Sequence, residues 1–137
     1  MAVISELLRV EADGTISFGD YTLDAKAKLD KFECNGANYK VKTYKDITKL
    51  ECNDVFVYES VPGTAVNKFT KTDDQVAFVV TGMEGAQITI GLEPETEYEV
   101  SVNGESVGVM RTNLGGKLSL SVELEASKET PISIFKK

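Results

Sequence analysis

The sequence predicts an all-β protein: antiparallel strands, with a β-sandwich in the second half and a meander of hairpins from the first half packed on it. Three observations carry this prediction. Apolar residues recur with a period of two, turn-forming Asn, Asp and Gly recur at short intervals, and no stretch sustains the 3.6-residue period of an amphipathic helix.

The elements follow in chain order. "ISELLRV" (4–10) reads as a short first strand or one helical turn, and the strand is favoured. "ADG" (12–14) turns the chain into "TISF" (15–18). In "YTLDAKAKLD", Tyr21, Leu23, Ala25, Ala27 and Leu29 alternate with Thr22, Asp24, Lys26, Lys28 and Asp30. Ala and Lys favour helix on propensity alone, but strict alternation predicts a strand with one wet face. After Asp30 the phase slips and Phe32 and Cys34 turn inward, which predicts a β-bulge near Asp30 and Lys31. "NGAN" (35–38) leads to "NYKVKTY", and "ND" (53–54) leads to "DVFVYES". "KFECNGANYKV" and "KLECNDVFVYE" echo one another and predict two similar hairpins.

"VPGT" (61–64) carries turn chemistry and is the best boundary candidate, dividing the chain into residues 1–62 and 63–137. Neither part has a Gly/Ser linker, so close packing is expected rather than independent beads. Beyond it, turns at "TDD" (72–74) and "NGES" (103–106) separate "QVAFVV", "AQITIGL", "EYEVSV", "SVGVMRT", "KLSLSVEL" and "PISIFKK". From Thr64 onward there are about seven strand candidates.

The spacing Leu92, Pro94, Thr96, Tyr98, Val100, Val102 resembles the E-to-F corner of fibronectin type III and immunoglobulin-like sandwiches. The resemblance implies that Leu92 ends one strand, Pro94 stiffens the crossover, and the Tyr98 hydroxyl bonds to backbone just upstream. Tyr98, Val100 and Val102 then face the core, and Glu97, Glu99 and Ser101 face water. The chain departs from that class in having no tryptophan, and the second half is shorter than the ~100 residues typical of it. Taken whole, the chain also resembles small bacterial proteins labelled "endosialidase". Sialic-acid hydrolysis depends on an arginine cluster, and only Arg9 and Arg111 are present. The resemblance therefore implies a β-rich assembly module, and no catalytic residue carries over.

Composition narrows the functions. With 15 basic and 22 acidic residues the net charge is -7, which repels phosphate backbones and argues against nucleic acid. No segment approaches the ~20 apolar residues of a membrane helix, and no signal-peptide pattern opens the chain, so a cytoplasmic location without membrane contact is expected. Histidine is absent, which removes Ser-His-Asp and Cys-His mechanisms and most zinc sites. "TNLGGK" (112–117) lacks Walker spacing and reads as a hairpin loop. Glu93, Glu95, Glu97 and Glu99 read as the wet side of a corner rather than a calcium loop. Cys34 and Cys52 read as small buried hydrophobes, with a cross-strand disulfide or redox switch as alternatives.

The expected function is non-enzymatic and cofactor-free: a structural or interaction protein that binds a protein partner or itself. "ETPISIFKK" reads as an apolar edge strand, with Ile132, Ile134 and Phe135 as the candidate interaction edge. A carbohydrate- or peptide-binding module is the alternative, with Tyr39, Tyr44 and Tyr58 as its platform. A glycoside hydrolase working through paired carboxylates ranks below both.

Overall fold

The computed structural model describes residues 3–34, 36–125 and 128–137. Thirteen strands and no helix occur among them: β1 (Leu8–Val10), β2 (Ile16–Phe18), β3 (Ala27–Cys34), β4 (Ala37–Tyr44), β5 (Ile47–Cys52), β6 (Val55–Val61), β7 (Ala65–Lys71), β8 (Gln75–Thr81), β9 (Ala86–Gly91), β10 (Glu97–Val102), β11 (Glu105–Arg111), β12 (Lys117–Val122) and β13 (Thr130–Lys136).

Local chemistry explains the hairpins. Asp13 accepts hydrogen bonds from the Thr15 amide and hydroxyl, closing the β1–β2 turn. Asn53 and Asp54 have φ of 51° and 64°, and Asn103 and Gly104 have 56° and 81°. Left-handed backbone at both central residues matches the right-handed twist of the flanking strands. Asn35, first residue of the expected "NGAN" turn, lies outside the described residues; Gly36 has φ of 81°. The β3–β4 ladder slips between Leu29 and Phe32, and Lys31 has φ of 58°, so the expected bulge is present.

One expectation fails locally. The strand read from Tyr21 begins only at Ala27. Asp20 binds the Thr22 amide and Lys45 donates to the Leu23 carbonyl, which holds residues 21–26 in turns despite their alternation. β7 carries no clean period-two pattern in the sequence, because its alternation breaks: the β7–β8 register shifts between Asn67 and Thr70, and Lys68 has φ of 56°.

The strands form two antiparallel sheets. The first runs β1-β2-β7-β8-β13-β10-β11 and the second β12-β9-β6-β5-β4-β3. They pack face to face as a sandwich. Phe18 of the first sheet meets Tyr58 of the second edge-on, ring centroids 5.3 Å apart, and Phe78 meets the same tyrosine at 5.7 Å. One buried cluster draws Phe18, Val41, Leu50 and Tyr58 from one side of Pro62 and Phe78, Ile88, Val100, Leu118 and Ile134 from the other. The chain passes from the second sheet to the first at a cis Val61–Pro62 bond.

Sequence position misleads most at β13. The expected edge strand lies in the middle of the first sheet, paired with β8 on one side and β10 on the other. Ile132 and Ile134 are 1% and 0% exposed. Pro131 is tolerated because its carbonyl accepts the Asn103 amide and the ladder to β10 starts one residue later, at Ile132. Lettered A to G, β7 to β13 give sheets A-B-G-D-E and C-F, whereas an immunoglobulin constant domain has A-B-E-D and C-F-G. Tyr98 opens the fourth of these strands, so its corner joins C to D rather than E to F, and the strand order differs as well.

Candidate interaction edges

The corner between β9 and β10 is built by hydroxyls. The Glu93 amide donates to the Tyr98 hydroxyl at 3.2 Å, and the Tyr98 ring is buried. Thr112 does more: its hydroxyl donates to the Glu93 carbonyl and accepts the Thr96 amide at 2.9 Å. Leu92 donates its amide to the Gly116 carbonyl at 2.6 Å, and the Pro94 carbonyl accepts the Thr96 hydroxyl at 2.8 Å. Thr112 carried no sequence signal, because its partners lie 16 and 19 residues away. The four glutamates spread rather than converge. Glu93 pairs with Lys136 at 3.0 Å, raising the Lys136 pKa, and Glu99 accepts the Ser106 hydroxyl. Among the described residues no group of three or more acidic or cysteine side chains could hold a metal ion.

The three candidate platform tyrosines do not come together. Tyr58 is fully buried, its hydroxyl 2.8 Å from Thr64 Oγ1, and burial pushes its pKa up. Tyr39 shares the inward phase of Val41 on β4 and lies opposite Cys52; burial first, then the Cys52 and Cys34 thiols, push its pKa up to about 12. Tyr44, an odd number of positions further along β4, points to the outer face. Cys34 and Cys52 are free and partly buried. They sit on β3 and β5, both neighbours of β4 and not of each other, so about 10 Å of sheet separates them, beyond disulfide reach. The cross-strand disulfide is thereby overturned.

The true edges are β1, β3, β11 and β12. β1 is three residues long. β3 carries its bulge with Lys28, Asp30, Lys31 and Glu33 exposed. β11 is kinked: its register with β10 shifts between Val100 and Ser101, and Gly108 has φ of 113°. β12 pairs all six residues with β9 without a shift. Short length, charge and bulges are the usual protections of an edge.

β1 and β3 touch at one flank of the sandwich. At the other flank both sheets end, in β11 and β12, joined directly by residues 112–116. That flank exposes Val107, Val109 and Leu114, at 53%, 50% and 79%. No family model matches the chain, and no curated protein or solved structure matches it.

Proposed function

We propose that the protein is a non-enzymatic interaction module that acts by binding a protein partner, a second copy of itself included, through the flank formed by β11 and β12. The observation that carries this reading is the coincidence of two unpaired sheet edges with the exposed side chains of Val107, Val109 and Leu114. Bare strand edges offer main-chain hydrogen bonds to another chain, and neighbouring apolar side chains add surface to cover. Where the partner is a different protein, the net charge of -7 favours a surface that is neutral or basic. Light scattering after size exclusion, over a concentration series, tests self-association. A mass above the monomer that Val109→Lys returns to the monomer is expected. A monomer at every concentration removes self-association and leaves only a different protein as partner.

A carbohydrate-binding role is the second reading, and one cleft favours it. Asp30, Asn38, Tyr39, Asn53 and Asp54, together with Lys31 and Lys40, line a polar hollow of about 410 Å³ beside the hairpin tips of the second sheet. Amide, carboxylate and ammonium groups with one aromatic edge suit sugar hydroxyls. Titration with a panel of neutral glycans, followed by tyrosine fluorescence and repeated with Asn53→Ala, tests it; no saturable change with any glycan removes the reading.

A further inference from the structure

We propose that β12 is the dimer strand: it pairs antiparallel with β12 of a second copy about a two-fold axis at Leu120. The inference rests on the association reading above and specifies its partner and register.

Three observations meet at this strand. Of the four edges, β12 alone among the described residues has neither a bulge nor very short length, and Lys117 is its only charged residue. Its free side is also identifiable. The Gly116 carbonyl accepts the Leu92 amide, toward the β9 side. The Lys117 amide and carbonyl both turn the other way, to Asn113, at 2.9 and 3.1 Å. Strand alternation then turns the amides and carbonyls of Ser119 and Ser121 away from β9, where no neighbouring strand lies among the described residues.

The third observation is self-complementarity. An axis at Leu120 sets Ser119 against Ser121 of the second copy, and Ser121 against Ser119, so the outward main-chain groups form hydrogen-bonded pairs. Lys117 then lies opposite Glu123 of the second copy, and Leu118 opposite Val122. The faces agree: Lys117, Ser119, Ser121 and Glu123 are exposed, and Leu118, Leu120, Val122 and Leu124 are buried. Lys117 lies on the outer face, its amine 4.6 Å from the Phe56 ring centroid. An exposed ion pair of this kind selects a register more than it supplies affinity. Moving the axis by one residue toward Lys117 sets Ser119 against itself and calls on Lys117 main-chain groups that Asn113 already occupies. Moving it one residue the other way sets Ser121 against itself and Ser119 against Glu123, past the end of β12. Pairing β12 also draws the β11 flank of each copy, with Val107 and Val109, toward the shared interface.

The test uses the full chain carrying Ser119→Cys or Ser121→Cys, both exposed positions, under mild oxidation with the unsubstituted protein as background for Cys34 and Cys52. Hydrogen-bonded cross-strand pairs sit about 5.5 Å apart at Cα, within disulfide reach. Mixing the two variants is expected to give a covalent dimer on non-reducing gels several-fold faster than either alone. Lys117→Glu is expected to weaken the dimer several-fold in light scattering, with recovery when Glu123→Lys is added. A monomer at all concentrations overturns this proposal and self-association together. A dimer that Val109→Lys dissociates but that gives no preferential mixed cross-link overturns the β12 pairing and leaves the association reading standing.

Discussion

The buried Thr48 hydroxyl makes three hydrogen bonds. Its oxygen lies 2.8 Å from Thr43 Oγ1, donates to the Thr64 carbonyl at 2.7 Å and accepts the Thr64 amide at 3.1 Å. Thr64 in turn meets Tyr58 and Ser60, each at 2.8 Å. These buried groups satisfy one another where the chain leaves β6 for β7. Thr48→Val strands several of them and should cost about 2–3 kcal/mol, whereas Tyr58→Phe removes one partner of a still-bonded hydroxyl and should cost about 1 kcal/mol. Urea denaturation midpoints rank the two variants; an equal loss contradicts the network. Glu11 contributes to the acid limb, as does Asp13, whose carboxyl the Thr15 hydroxyl and amide hold below its ordinary value. The Ser17 hydroxyl, followed by the Arg9 guanidinium, holds the Glu11 carboxyl below the ordinary value of 4.5. A depressed folded pKa means the stabilisation is complete above that value and is lost as pH falls through the lower folded one. Glu11→Gln should therefore be less stable at neutral pH and show a shallower loss below about pH 4.5, measured by circular dichroism at constant urea.

At the scale of the strand, local chemistry was readable and neighbourhood was not. Turns at Asn53-Asp54 and Asn103-Gly104 announce themselves, because left-handed backbone selects Asn, Asp and Gly. The slip at Lys31 was readable as a change of phase between Leu29 and Phe32. β7 escaped because its bulge breaks the alternation that marks a strand. The Leu92, Pro94 and Tyr98 corner was readable as spacing, but Thr112, which closes it, was not. The edges were unreadable for a different reason: an edge is defined by a missing neighbour, and strands distant in sequence decide that. Pro131 and Lys136 imitate edge protection on a strand with partners on both sides. A substitution pair tests that placement. Ile134→Ala should cost about 3 kcal/mol as a buried truncation. Phe135→Ala, on the outer face and 44% exposed, should cost less than half as much. Equal small losses would contradict a central β13.

Across the whole molecule the two sheets each mix strands from before and after Pro62: β1 and β2 join β7, and β9 and β12 join β6. Each half therefore supplies part of the other's sheet, and separate fragments 1–62 and 63–137 should each fail to give a cooperative urea transition, while the whole chain gives one. The position of β13 carries a further consequence, for biosynthesis. β8 and β10 flank a gap in the first sheet that only β13 fills, and β13 is translated after every strand it joins. A nascent chain halted before Thr130 holds two facing bare edges, β8 and β10, so its sheet stays open until β13 emerges. Chaperone capture of chains stalled before Thr130 should therefore exceed capture of chains stalled with β13 fully emerged.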